Sequence, residues 1–415
     1  MIYDDSLYPQ AEAYERFRLT QPSDNGPFSI PRMLTQYYDL QLGTKINTSK
    51  VFTINILWYH RFFKRVSLKD YLGPKIVNKL VDGKAILVLS HMHEAYHFGN
   101  LTVDSDPFAN TFMSQLKQLK IPLKHTFFVT GDMGTFRTFT DNDKDQITMI
   151  GLDAFGEKAS LESLHELNDF FDKTTEFRLD KPKDYLYLNG CPRPGKCTLK
   201  YRLEKEGLLS NNLAVYSWLH RHHVPIKQAI QDVIEKFSIR DKNSIKHIMK
   251  SVNRVHELDA SLSTIDHLQD AFPRNNIQDT IINLVPETSQ LEDMFFITEK
   301  TYKTIMFKHP MLLWANPGVL GHLQTLGYQT FDNIFDESYD IIDNVPTKYS
   351  AISQYDKKVD IITSNLRNFK ERAIGKEREV NEILDYNRNH LITNNPSSKF
   401  NKEKLLPLVN AIHAL

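Results

Sequence analysis

Cysteine is almost absent from this chain: Cys191 and Cys197 are the only two among 415 residues. They sit six residues apart in one Gly/Pro-rich stretch, GCPRPGKC, which is neither a disulfide framework nor a zinc-ligand pattern. A reducing compartment is therefore expected. Long apolar runs are missing as well. Nowhere do the roughly 18 consecutive apolar residues that span a bilayer occur, and the opening stretch MIYDDSLYPQAEAYERF lacks the basic and apolar regions of a secretory signal. The chain is read as cytoplasmic, with no membrane partner. An excess of either charge is missing too, since Lys plus Arg and Asp plus Glu both number 51. That balance removes any global electrostatic argument for a polyanionic partner and leaves only local basic faces to carry one. No internal repeat or low-complexity tract is visible.

What is there is an ordinary globular composition, 41 % hydrophobic and 25 % charged, in a chain long enough for two or three domains. Val51 to Trp58, Ala85 to Ser90, His125 to Thr130 and Ile147 to Leu152 read as strands, and Phe108 to Leu119 and Leu161 to Phe171 as helices. Apolar runs without alternation mark strands buried on both faces, and strands alternating with helices mark a parallel α/β sheet. The polar, proline-containing break Asp180-Lys181-Pro182-Lys183-Asp184 reads as a linker. After it, Tyr185 to Asn189, Ala214 to Trp218, Ile281 to Val285 and Met311 to Ala315 repeat the strand pattern. The expected fold is α/β, with Rossmann-like domains at residues 1–180 and 181–370 and a helical segment at 371–415. Residues 226–275 read as a polar helical layer with no assigned chemistry. A charged helical pattern runs from Tyr355 to Ile392.

In an open parallel sheet, ligands bind beyond the carboxyl ends of the strands. Behind Ala85 to Ser90 comes His91-Met92-His93-Glu94-Ala95-Tyr96-His97, an unusual concentration of titratable side chains. His93, Glu94 and His97 satisfy H-E-x-x-H, the zinc-hydrolase pattern. That pattern belongs in a long helix with a distant third ligand, whereas here it follows a strand directly and soon meets Gly99, so no metal is expected. Two readings remain. Either these are structural histidines at a strand end, or they form an acceptor-side cluster in which Glu94 or His93 is the general base and His91 and His97 contact the acceptor. Arg137, in the hydroxyl-rich loop Asp132 to Asp143, is either a second wall of that site or plain surface. The basic stretch Tyr59 to Lys75 and the group His220-Arg221-His222-His223 are each either ligand contacts or solvated faces.

The second half carries two candidate anion sites. Glu287 and Thr288 close one strand, and Thr298 is the expected N-cap of the next helix, with Glu299 and Lys300 in its first turn and Lys303 one turn on. Pro310 ends that helix near His309. A helix N-terminus with two lysines suits a phosphate, and a carboxylate beside it suits ribose hydroxyls, so the group suits a nucleoside diphosphate. The competing reading is a solvated Glu299–Lys303 pair at i and i+4. The other candidate is the loop Gly190 to Lys196, which carries Arg193 and Lys196 between a strand and a helix expected from Thr198 to Glu206. Its competing reading is a rigid loop with surface charges.

The order ET, TEK-x-x-K, helix, apolar strand, NPG turn and LGYQTFDNIFDESYD resembles the donor-binding half of GT-B glycosyltransferases of phage and giant viruses, a group distantly similar to the α1,3-fucosyltransferases. The strand ending in Asn189 and its Pro-Arg-Pro loop resemble the same viral enzymes. The resemblance implies a GT-B arrangement, two Rossmann-like domains facing across a cleft with the C-terminal helix crossing back. It implies a nucleotide-diphosphate sugar as donor and no obligatory cofactor or metal. Glu299 would hold the donor ribose, Lys300 the diphosphate, and Arg193 and Lys196 the departing diphosphate, with Lys303 beside them and Glu287 near the sugar or ribose. Phe296 stands where the fucosyltransferases have Tyr, and Lys196 where the viral enzymes have Arg. The implied acceptor is a hydroxyl, on a hydroxymethylated base of double-stranded phage DNA or on a glycan. The alternative of another class is a non-enzymatic viral nucleic-acid-binding protein.

Overall fold

The computed structural model describes residues 2–4, 30–40, 42–43, 49–55, 67–91, 102–103, 106–133, 147–165, 176–219, 230–231, 234–235, 242–256, 274–288, 295–342 and 351–415. The chain divides into two compact units. Unit 1 holds Met1–Lys158, Met294–Phe296 and Ser397–Leu415; unit 2 holds Ala159–Asp293 and Ile297–Pro396. The stretch read as a linker at 180–184 is a turn running straight into the first strand of unit 2, with Lys183 already in the ladder. The C-terminal stretch Ser397–Leu415 belongs to unit 1.

Unit 1 is built on strands β1 (Ile2–Asp4), β2 (Leu42–Gly43), β3 (Val51–Asn55) and β4 (Ile86–His91), a short antiparallel pair β5 (Thr102–Val103) and β6 (Asp106–Pro107), then β7 (Thr126–Thr130) and β8 (Thr148–Gly151). The main sheet has the order β2-β1-β3-β4-β7-β8, every neighbouring pair parallel. Side chains alternate across a strand, which sorts the apolar runs into two cores. On one face Phe52, Ile54, Leu87, Leu89 and Phe128 meet Leu72 and Ile76 of the helix Leu68–Val81 and Phe112 and Leu116 of the helix Phe108–Gln118. On the other, Val51, Ile86, Val88, Phe127 and Val129 meet Leu34 of the helix Ile30–Tyr38 and Leu405, Leu408 and Ile412 of the C-terminal helix Pro396–His413.

A buried polar network fastens that C-terminal helix. Asn401 Oδ1 accepts from Asp153 N at 2.7 Å, while its Nδ2 donates to Asp153 O at 3.0 Å and to Glu157 Oε2 at 2.7 Å. Ser397 Oγ donates to Asp153 Oδ2 at 2.7 Å, and Tyr37 Oη donates to Glu157. Burial pushes the Glu157 carboxyl above its usual range, against the hydrogen bonds from Tyr37 and Asn401.

Unit 2 contains β9 (Lys183–Asn189), β10 (Ala214–Trp218), β11 (Thr280–Pro286) and β12 (Met311–Trp314), in the order β10-β9-β11-β12 and parallel throughout. Taking this unit's helices in order, α1 (Pro194–Lys205) follows β9, α2 (Lys242–Asn253) and α3 (Arg274–Asp279) lead into β11, α4 (Glu299–Met306) joins β11 to β12, and α5 (Val319–Thr325) follows β12. The single helix read from Tyr355 to Ile392 is two, α6 (Ala351–Ala373) and α7 (Glu377–Asn389), because Gly375 takes φ 77°, a left-handed helix stop. Both sheets are Rossmann-like. Among the described residues no helix is long and apolar enough to cross a membrane.

Asn401→Leu removes the acceptor of the Asp153 N–H, the donor to a buried Glu157 oxygen and one of two donors to Asp153 O, whose bond from Glu157 N at 3.3 Å remains. Unit 1 is expected to lose roughly 2–4 kcal/mol, read from urea unfolding; an unchanged midpoint would show that the network does not fasten the helix.

Candidate functional site

In unit 2 the chain passes from β9 outward to β10 and then returns to β11 on the other side of β9. That reversal is a topological switch point, and the crevice beyond the carboxyl ends of the two strands is where open α/β sheets take ligands. Asn189 ends β9 and Glu287 follows β11, so one residue from each strand borders it.

Glu287 is fully buried and accepts four hydrogen bonds. Oε1 receives Thr298 N at 3.1 Å and Thr301 Oγ1 at 2.6 Å; Oε2 receives Thr298 Oγ1 at 2.5 Å and Thr288 N at 3.2 Å. These bonds tie the start of α4 to the end of β11. Thr298 is the N-cap, extended at φ −111°, its hydroxyl accepting from Lys300 N at 3.4 Å. Glu287, expected beside the sugar or ribose, is thus an internal brace whose oxygens are all engaged by the protein.

Lys300 is held where α4 begins. Its Nζ donates to Thr288 Oγ1 at 3.2 Å, Thr298 Oγ1 at 3.0 Å and Glu299 Oε1 at 3.0 Å, which uses the three donors of an ammonium. Burial works against its charge, but Glu299 and Glu287 outweigh it and raise its pKa. Burial likewise opposes ionisation of Glu299, and Lys300 and then Lys303 override it, lowering that pKa. The Glu299 side chain keeps 22 % of its surface exposed and the Lys300 side chain 30 %.

The first turn of α1 is different. This helix starts at Pro194, four residues before the expected Thr198, because proline at the first helical position has its φ already set and needs no N–H partner. Lys196 therefore lies within the first turn, not in the preceding loop. It is 3 % exposed and, among the described residues, makes no hydrogen bond or ion pair. Burial pushes its pKa down to about 7, helped by the charges of Lys300 and Arg193 and opposed by Glu287. Arg193, the N-cap residue, has no side-chain capping bond and no ion pair among the described residues. The Trp314 indole at the end of β12 anchors the turn, donating to Gly195 O at 3.2 Å.

Three cations, Arg193, Lys196 and Lys300, thus act on one another beside two carboxylates. The helix following β12 offers no comparable opening, since Asp340 Oδ2 accepts from Gly321 N at 3.2 Å within its first turn. Lys303 lies one turn into α4, where its charge acts on Glu299. His91 is the last residue of β4, one strand beyond the unit 1 reversal between β1 and β3. His93, Glu94, His97, Arg137 and the histidines at 220–223 lie outside the described residues, which contain no group of side chains able to hold a metal ion. Sequence reasoning gave no role to Asn189, which is buried with both amide atoms unpartnered among the described residues, and missed Thr301, which donates to Glu287. The signals were the place of each next to a strand or helix end and, for Asn189, the Pro-Arg-Pro loop that follows it. In comparisons with known proteins, no family model and no curated sequence matches this chain.

An anion beside Lys196 favours the protonated amine. Affinity for inorganic pyrophosphate is therefore expected to be highest below pH 7 and to fall as pH rises through about 7, by up to roughly tenfold per unit beyond pyrophosphate's own titration. Lys196→Arg, always charged, should flatten that component in calorimetric titrations. Parallel profiles for the two proteins would remove Lys196 from the site.

Proposed function

We propose that this protein is a nucleotide-sugar-dependent glycosyltransferase, with the donor diphosphate held at the carboxyl edge of the unit 2 sheet. The observation that carries this reading is Lys196, a buried amine with no partner among the described residues, in the first turn of α1, with Arg193 at the N-cap and Lys300 nearby. Breaking a sugar–diphosphate bond builds negative charge on the leaving oxygen. Fixed cations and helix N–H groups already in place stabilise that charge without reorganising. Lys196 and Arg193, whose donors the described protein leaves unassigned, would touch the diphosphate directly. Lys300, whose donors are engaged, would act as a fixed charge from the start of α4. The part-exposed, ionised Glu299 fits the ribose hydroxyls.

On this reading the two Rossmann-like units are the two domains of a GT-B enzyme, and the C-terminal helix built into unit 1 is the one that crosses back. Glu94 or His93 would take the acceptor proton if configuration inverts. The acceptor would be a hydroxymethylated base in phage DNA or a glycan hydroxyl.

A thermal-shift panel of UDP-, GDP- and dTDP-sugars tests the donor reading, and transfer assays on hydroxymethylated DNA and on glycans follow with whichever donor shifts the protein. Lys196→Ala is expected to abolish the donor-induced shift while the ligand-free melting temperature stays level or rises, since a desolvated charge is removed. A panel in which no sugar nucleotide shifts the wild type would sink the assignment.

A further inference from the structure

A second group of buried polar atoms lies under the same turn. Asn189 is 1 % exposed, and among the described residues neither its Oδ1 nor its Nδ2 has a hydrogen-bond partner; the Tyr187 hydroxyl, fully buried, has none among them either. Residues two apart on a strand face the same way, so Tyr185, Tyr187 and Asn189 share one face of β9. That face is the one α1 covers. Tyr185 Oη donates to Leu208 O just past the end of α1, and Tyr187 lies within electrostatic reach of Cys197 in its first half. The helix runs back over the strand, so Asn189, at the strand's carboxyl end, comes under the opening turn that carries Lys196. Two buried polar side chains, Tyr187 and Asn189, thus lack partners among the described residues in the helix–strand layer that Lys196 opens, and buried polar groups are otherwise nearly always hydrogen-bonded.

The chemistry of the amide narrows what completes it. Its Nδ2 group donates and its Oδ1 accepts, so the missing neighbour must both accept and donate. An ionised phosphate only accepts. A pair of sugar hydroxyls does both. We infer that Asn189 is a specificity-determining residue that takes hydroxyls of a sugar attached to the diphosphate, while Lys196 and Arg193 take the phosphates. This rests on the donor reading above and adds the group that is recognised beside the anion.

The test compares wild type, Asn189→Ala and the near-isosteric Asn189→Leu in calorimetric titrations with inorganic pyrophosphate, a nucleoside diphosphate and the sugar nucleotide that shifts the wild type. Removing Asn189 is expected to leave pyrophosphate affinity within about twofold and to weaken a sugar-bearing ligand by roughly tenfold or more. If the loss is already present in the nucleoside diphosphate, the sugar is the pentose; if it enters only with the sugar nucleotide, it is the transferred sugar. Either result supports the assignment. Equal losses for all three ligands, or no loss for any, would overturn it and leave Asn189 a site for bound water alone. Failure of the wild type to bind all three would overturn the donor reading together with it. Near-wild-type melting temperatures of both variants check that the fold is kept, and Asn189→Leu decides the outcome if the smaller side chain opens a cavity.

Discussion

A carboxylate with no exposure to water sits at the carboxyl end of the third strand of unit 2 and organises everything around it. Burying an ionised carboxyl costs several kcal/mol unless it is hydrogen-bonded or paired. Glu287 meets that requirement with two backbone N–H groups and two threonine hydroxyls. Because three of those donors come from Thr298 and Thr301, the strand end and the helix start cannot separate without stranding the charge. The consequence passes outward: Thr298 is fixed as the cap, and its hydroxyl and that of Thr288 then fix the ammonium of Lys300.

With Lys300 held, the electrostatics of its neighbours follow. Arg193 and Lys196 come from a different helix start, and their like charges add to the desolvation that brings Lys196 to a pKa of about 7. Such a residue is poorly placed for stability. It suits an anion, which would add counter-charge to the little that Glu287 supplies. The two helix starts thus differ in kind: one is internally satisfied, the other holds cationic groups without partners among the described residues. Unit 1 shows the satisfied case again, where Asn401 answers both backbone groups of Asp153 and the carboxylate of Glu157.

Much of this architecture was legible in the sequence because strands buried on both faces read as uninterrupted apolar runs, as in Ala85 to Ser90. The Thr298 cap was legible for a local reason too, a hydroxyl residue followed by a carboxylate and a lysine before an amphipathic turn. Local rules failed where two signals competed. Pro194 could close a loop or open a helix, and it opens one; the charged pattern beyond Tyr355 hid the left-handed stop at Gly375. The role of Glu287 was not legible, since a carboxylate after a strand looks the same whether it faces a ligand or braces a neighbouring helix.

By itself, the sequence determined the class of fold, the longer parallel strands though not β1, β2, β5 or β6, and which charged residues lie near helix starts, because periodicity and capping act over a few neighbouring residues. Only the tertiary structure decided which of those charges are already answered. Partnering is a property of space: Glu287 is met from eleven and fourteen residues away, Lys300 from twelve, and Lys196 by no described side chain at all. Burial, which turns an ordinary lysine into one with a pKa of about 7 and leaves the amide of Asn189 without a hydrogen-bond partner among the described residues, arises only when helix and sheet close over them.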